Sequence, residues 1–265
     1  MKKIVHISDL HFGTEESEIV NRLSYDINEI KPDVIVVSGD LTQRAKNKEY
    51  IKAKIFLKKL AYHTVVIPGN HDIPLFNIWG RIVNPFKKFE TYFDHSDRYY
   101  SDDTLEIIGL NSVRNLRLKS GNLSSDQLQI GASEFKESGK NFVRILVIHH
   151  NLFHISSRGD AVKLFKTKRL HHWLMQNNID LILFGHDHKS MVQPILFDDD
   201  AIFDFILIQA GTATSNRTRG FPNSYNVIEI SGDDCKIKIR EYQDQKFEII
   251  SEQQFVKVSA GWKYS

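Results

Sequence analysis

The chain carries a single cysteine, Cys235, in 265 residues, so no internal disulfide can form. A reduced interior follows, and with it the expectation of a cytoplasmic protein. Net charge is scarce as well: 35 Lys and Arg stand against 33 Asp and Glu, and the resulting +2 gives no mandate for nucleic acid or a membrane surface. No apolar run reaches the ~18 residues of a membrane span. The first predicted strand starts at Lys2, which leaves no room for the apolar core of a signal peptide. Internal repeats, low-complexity tracts and linkers are also missing. With 41% hydrophobic residues the chain reads as one globular domain, 1–265, large enough to bury a sizeable core.

Present instead are five short apolar runs, each ending in a cluster of ionisable or amide residues. Ile4–Ile7 precedes Ser8-Asp9-Leu10-His11, Val34–Val37 precedes Gly39-Asp40, and Val65–Ile67 precedes Gly69-Asn70-His71-Asp72. Ile145–Ile148 precedes His149-His150, and Leu181–Phe184 precedes Gly185-His186-Asp187-His188. Buried strands that end this way set their polar residues at the carboxyl rim of an open sheet, where ligands bind in α/β folds.

Between the runs, apolar spacing predicts helices over 15–30 and 45–60, so the first seventy residues alternate strand and helix as a parallel sheet requires. Residues 74–95 interleave Pro74, Phe76, Trp79, Pro85, Phe86, Phe89 and Phe93 with Arg81, Lys87 and Lys88, the pattern of a cap or lid segment. Asp102-Asp103 suits a hairpin turn. Helices are predicted over 124–136 and 160–176. The last third reads as a meander of strands, expected to form a second, mostly antiparallel sheet. The fold class is therefore α/β: a four-layer αββα sandwich of two mixed sheets with flanking helices. The C-terminal strands offer an edge for a homodimer without demanding one.

The polar clusters have the donors of a metal centre. Asp9 and His11, two apart on an extended chain, are expected to grip one ion together. Asp40 follows a glycine that lets the backbone turn sharply, and its two oxygens suit a bridge between two cations. Asn70 offers an amide oxygen; His149, His186 and His188 offer imidazoles. Mixed imidazole and carboxylate ligation suits Mn, Fe or Zn better than Ca or Mg. Two divalent ions bring four positive charges. Asp9 and Asp40 cancel two and a bridging hydroxide one more, which leaves a net positive site that attracts a phosphate oxyanion.

In this order the blocks D-x-H, G-D, G-N-H-D, H and G-H-x-H resemble the calcineurin-like metallophosphoesterase superfamily, over residues 4–188. The run Gly211-Thr212-Ala213-Thr214-Ser215-Asn216-Arg217-Thr218-Arg219-Gly220 is similar to bacterial members related to class III cyclic nucleotide phosphodiesterases. The resemblance implies that one of two divalent or trivalent ions takes Asp9, His11, Asp40 and His188, and the second Asp40, Asn70, His149 and His186. It implies that His71 faces the substrate and protonates or hydrogen-bonds the leaving group, that Asp72 holds the His71 ring, and that a hydroxide bridging the ions attacks phosphorus. Members often carry two prolines after the paired histidines; this chain has Asn151-Leu152-Phe153.

The expected activity is hydrolysis of a small phosphodiester, a cyclic nucleotide first. A pyrophosphohydrolase acting on a nucleotide-diphosphate sugar or a lipid precursor, a DNA nuclease and a non-catalytic scaffold are the alternatives. The second block, Gly39-Asp40-Leu41-Thr42-Gln43-Arg44, does not fit the protein Ser/Thr phosphatases. A nuclease usually needs further DNA-binding regions, and scaffolds tend to lose ligands that this chain keeps. His150 and His154 lie near the expected site without an assigned role. Arg217 and Arg219 read equally as a grip for a second phosphate or as a solvated turn.

Overall fold

The computed structural model describes residues 1–74, 78–115, 120–135, 142–155, 162–164, 168–195, 202–259 and 261–265. In chain order the strands are β1 (Lys2–Ile7), β2 (Val34–Val37), β3 (His63–Val66), β4 (Tyr99–Ser101), β5 (Leu105–Gly109), β6 (Val143–Val147), β7 (Phe153–Ile155) and β8 (Val162–Leu164). They continue as β9 (Ile179–Phe184), β10 (Met191–Ile195), β11 (Phe205–Gln209), β12 (Ser224–Ser231), β13 (Asp234–Gln243), β14 (Lys246–Val258) and β15 (Gly261–Tyr264). The helices are α1 (Ser17–Ile30), α2 (Asn47–Leu60), α3 (Ile78–Val83), α4 (Lys87–Tyr92), α5 (Ser125–Glu134) and α6 (Lys168–Gln176).

One sheet runs β15-β14-β13-β12-β1-β2-β3 and the other β10-β11-β9-β6-β5-β4. In the first, β1, β2 and β3 are parallel; in the second, β5, β6, β9 and β11 are. Alternation along the buried strands sorts their side chains into three core layers. Ile4, Val34, Val36 and Val65 meet Ile107, Ile145, Val147 and Leu183 between the sheets. Val5, Ile7, Ile35 and Val37 face Leu23 and Ile27 of α1 and Ala53, Phe56 and Leu57 of α2. Leu146, Ile182, Phe184 and Leu207 face Leu128 of α5 and Leu170, Trp173 and Leu174 of α6. The result is the four-layer αββα sandwich expected from the sequence.

Three local expectations change. The C-terminal meander does not build a sheet of its own: β10 and β11 complete the second sheet, while β12 to β15 extend the first. The reason is the burial of both faces of β12 and β11, which therefore pair with β1 and β9 in the interior. The helix expected over 160–176 is confined to α6, because Val162–Leu164 pairs with Phe153–Ile155 in a small antiparallel ladder; the start of the expected span lies outside the described residues. In the 74–95 segment, Phe89 and Phe93 are buried beside α2, Trp79 is exposed, and Phe76 lies outside the described residues.

The sheets are tied at the end opposite the polar clusters. Asp180, at the start of β9, accepts from the Arg144 amide at 2.9 Å, the Trp262 indole at 3.1 Å and the Lys257 ammonium at 2.8 Å. Asp180→Ala leaves these donors without their acceptor, which costs about 1–3 kcal/mol. The denaturation midpoint should fall accordingly with kcat unchanged; an unaltered midpoint contradicts this role.

Candidate metal centre

Every parallel strand named in the sequence motifs points its carboxyl end at one rim of the sandwich, and the loops that leave there converge. Asp9 and His11 follow β1, Asp40 follows β2, Asn70 follows β3, His149 follows β6, and His186 and His188 follow β9. Both sheets contribute, so the site bridges the two halves of the core.

Contrary to the expectation of strand alternation, the pairs two residues apart lie beyond their strands, on left-handed backbone. Asp9 (φ 51°), His11 (45°), Asp40 (52°), His186 (77°) and His188 (61°) all have positive φ. Such conformations cost about 1–3 kcal/mol each and persist only where their surroundings impose them. The imposing contacts are on hand. Thr212 and Thr214 hydroxyls donate to the Asp9 and Leu10 carbonyls at 2.7 Å each. The Asp9 and His11 amides bond the carbonyls of Gly39 and Asp40, and the His186 amide bonds Asp9 Oδ2 at 2.9 Å. Gly39, at φ +98°, has no room for a side chain, since a Cβ there would lie 2.6 Å from His149 Nδ1.

Two sets of donor atoms result. In one, His11 Nε2 and His188 Nε2 are 3.2 Å apart, and Asp9 Oδ1 lies 3.6 Å from the former and 3.2 Å from the latter. In the other, Asn70 Oδ1 lies 3.1 Å from His149 Nε2 and 2.9 Å from His186 Nδ1, with the two nitrogens 3.3 Å apart. Asp40 stands between, its Oδ2 3.8 Å from His11 Nε2 and its Oδ1 3.5 Å from His149 Nε2. Metal bonds of about 2.0–2.2 Å to imidazole and carboxylate give ligand-to-ligand edges of roughly 3 Å, the spacing of both sets. Asp9 Oδ1 is also buried without a hydrogen-bond partner, an arrangement a cation at its mouth would satisfy. The residues fit two ions.

Electrostatics point the same way. Burial by itself would raise both carboxylates, yet the imidazoles of His11 and His188 hold Asp9, and that of His149 holds Asp40, well below the usual range. Burial opposes charge on His149, but the Asp40 carboxylate overrides it and pushes the imidazole up to about 9. Burial and the neighbouring His149 push His186 down to about 4. The cluster asks for positive charge at its centre and cannot place it on every imidazole.

Backbone carbonyls aim the rings. His149 Nδ1 donates to Ser38 O at 2.8 Å, and His188 Nδ1 to Arg217 O. His71 Nδ1 donates to Gln43 O at 2.9 Å, while its amide donates to Asp40 Oδ1 at 2.8 Å. Asp72 therefore does not hold the His71 ring as expected. Its carboxylate accepts from the amides of Leu41, Thr42 and Gly69 at 3.1, 2.8 and 2.9 Å and from the Thr42 hydroxyl, so it staples the Asp40 loop to the Asn70 loop. His150 is buried against the metal-facing rings, with Nδ1 3.1 Å from Ser112 Oγ. In place of prolines, Asn151 Oδ1 accepts the Phe153 amide and sets the loop turn. Arg217 reaches His71, Arg219 is exposed in a turn, and the His154 side chain lies outside the described residues.

His6, on β1, lies outside the sequence motifs but reaches the loops of the site. Its Nε2 lies 3.0 Å from the hydroxyl of Ser38, whose carbonyl aims His149, and its Nδ1 lies 3.3 Å from Asn226 Nδ2. Burial pushes it down to about 3. Thr212 and Thr214, two apart after β11, carried a legible signal as paired hydroxyls at a strand end; the carbonyl anchors carried none.

Residues 2–190 match the family model for calcineurin-like phosphoesterase. A probable cyclic nucleotide phosphodiesterase of Coxiella burnetii is 28% identical over 198 residues, 71% of this chain and 76% of that one. A probable glycerophosphodiester phosphodiesterase of Arcobacter nitrofigilis is 29% identical over 164 residues, 56% of each chain. Among solved structures, a dimetal phosphatase from Danio rerio aligns with TM-score 0.58 at 11% identity over 94% of this chain and 98% of that one. The purple acid phosphatase PPD1 from yellow lupin aligns with TM-score 0.64 at 14% identity, over 94% and 52%. Both share the fold.

Proposed function

Because the chain belongs to the calcineurin-like phosphoesterase family and is a phosphoric ester hydrolase, we propose that it cleaves a small phosphodiester, a cyclic nucleotide before others, with two metal ions. The observation that carries the reading is Asp40, whose two oxygens each face one set of imidazoles. When bound, two such ions activate a water and absorb charge on the phosphoryl oxygens. Asp9, His11 and His188 would hold one; Asn70, His149 and His186 the other. His71 sits edge-on to His11 with ring centroids 4.9 Å apart, so it borders the first half-site, from which it would meet a substrate. Asp72 acts at one remove, by fixing the distance between the loops that carry Asp40 and Asn70. Preference for a diester rests on the relatives' activities, and Mn, Fe or Zn on the donor set. A cytoplasmic setting completes the reading, supported by the buried free thiol of Cys235.

The test is purified protein reconstituted with Mn, Fe or Zn, assayed for metal content. Its substrates are bis-p-nitrophenyl phosphate, cyclic AMP, p-nitrophenyl phosphate, a nucleotide-diphosphate sugar and single-stranded DNA. Two ions per chain and faster turnover of the small diesters are expected. Protein that holds two ions yet cleaves only the monoester, the pyrophosphate or DNA refutes the substrate class. Protein that binds no ion refutes the metal centre.

A further inference from the structure

The small net charge conceals a segregation. Residues 44–59 hold Arg44 and six lysines against one acid, Glu49, so this stretch carries +6 in a chain of +2 and the rest carries −4. Glu49 is buried and directs its carboxylate to the Arg44 and Lys46 amides at 2.8 and 3.3 Å. No acid therefore stands on the exposed side of α2.

The helical period sorts the remaining residues. Tyr50, Ala53, Phe56, Leu57 and Leu60 pack inward, while Lys48, Ile51, Lys52, Ile55, Lys58 and Lys59 share the solvent face. Ile51 and Ile55 stand one turn apart, with Lys58 on one flank and Lys48, Lys52 and Lys59 on the other. Ile51 is 48% exposed and Ile55 60%. Lys52 bonds the Glu15 carboxylate, but among the described residues the ammonium groups of Lys48, Lys58 and Lys59 have no partner. The other helix of this layer, α1, is different: its exposed positions include Glu18, Asn21, Asn28 and Glu29, an ordinary solvated surface. On α2, two isoleucines in water and like charges four residues apart at Lys48 and Lys52 both oppose stability.

The occupant of such a face must be anionic and must also take up aliphatic side chains. A nucleic-acid backbone meets only the first condition. A groove on another protein engages a helix through a longer stripe, at i, i+3, i+4 and i+7, and here only two positions are apolar. A bilayer with anionic headgroups meets both conditions, because lysine stems lie along the apolar boundary while their ammonium groups stay among the phosphates. We propose that the exposed face of α2 docks on an anionic lipid bilayer. Ile51 and Ile55 enter the headgroup boundary, and Lys48, Lys58 and Lys59 pair with lipid phosphates. The helix lies on the membrane and does not span it; among the described residues no helix is long and apolar enough to cross. Two isoleucines make a shallow anchor, so binding is reversible and needs the lysines as a second signal. This docking is independent of which phosphoester the metal centre cleaves.

Sedimentation of the full chain with two kinds of vesicle tests it: phosphatidylcholine alone, and equal parts phosphatidylcholine and phosphatidylglycerol. Binding is expected on the second only. It should fall steeply as salt rises from about 0.1 M to about 1 M, where the screening length shrinks from ~10 to ~3 Å. Lys48→Gln, Lys58→Gln and Lys59→Gln together should weaken it about 10²-fold, at roughly a factor of five per lysine. Ile51→Ser with Ile55→Ser should weaken it about tenfold or more. Both variants should keep the wild-type denaturation midpoint, since the altered side chains face solvent. Lys236→Gln with Lys246→Gln, which removes cations from β13 and β14, should bind as wild type does. Equal binding to both vesicles, binding to neither, or an isoleucine variant that binds as wild type does overturns the proposal. So does tighter capture of single-stranded RNA that the isoleucine variant retains, which would make the face a grip for a phosphate backbone.

Discussion

Asp40→Ala is expected to lower diester turnover by about 10³-fold or more, ~4 kcal/mol of transition-state stabilisation, and to leave at most one ion per chain. A partner that merely orients a ligand is worth about 10–100-fold in metal affinity. Asp40 turns one oxygen toward each half-site, so on the proposed ligation its removal weakens two ions at once. The charge balance moves in the same direction, because Asp9 becomes the one carboxylate among the donors facing two cations. Asp40→Asn separates shape from charge. It keeps the acceptor for the His71 amide and the packing against Gly69, and should fold as stably as wild type while still losing most of its metal. Elemental analysis beside kinetics distinguishes the outcomes. Two ions and near-normal turnover in Asp40→Ala are incompatible with a bridging carboxylate.

How much of this was legible in the sequence depends on which atoms carry the information. Strands such as Val34–Val37 and Leu181–Phe184 are buried on both faces and read as unbroken apolar runs, so their ends, and the ionisable residues after them, are visible from composition. The amphipathic spacing of Ile19, Leu23 and Ile27 likewise gives α1 within two residues. Side-chain donors of the metal centre are legible for that reason alone.

What was illegible is carried by backbone or by competition between distant segments. Asp9 and His11 converge because left-handed kinks turn them, and no local spacing rule distinguishes that from strand alternation. Ser38, Gln43 and Arg217 aim three imidazoles with carbonyl oxygens, which every residue type has. Asp72 follows His71 directly and looks like its partner, yet three donors from the Asp40 loop and the Gly69 amide of its own loop claim its carboxylate. The apolar residues Val162 and Leu164 fit a helix by period, and only the neighbouring Phe153–Ile155 makes them a strand. The partition of the last six strands between two sheets was decided by which sheet edge could bury them.

Gly69→Ala should be nearly as damaging as the loss of a ligand, although it adds one methyl group. At φ −103°, ψ −178° the Gly69 backbone is extended and suits any residue, so conformational preference is not the issue. Space is. A Cβ at Gly69 would lie 2.1 Å from Asp40 Oδ1 and 2.2 Å from the Asp40 backbone nitrogen. Neither neighbour can rotate away, since the nitrogen is main chain and Oδ1 already accepts the His71 amide. The Asp40 and Asn70 loops must therefore separate, against the three hydrogen bonds with which Asp72 holds them together. Overpacking of this kind costs about 1–3 kcal/mol of stability. A displacement near 1 Å of groups that must act in concert costs about 10²-fold in rate. Both losses should appear together, as a lower denaturation midpoint and a weakened affinity for the second metal equivalent. Wild-type turnover in Gly69→Ala would require the two loops to move apart without moving Asp40 relative to Asn70, which the Asp72 staple does not allow.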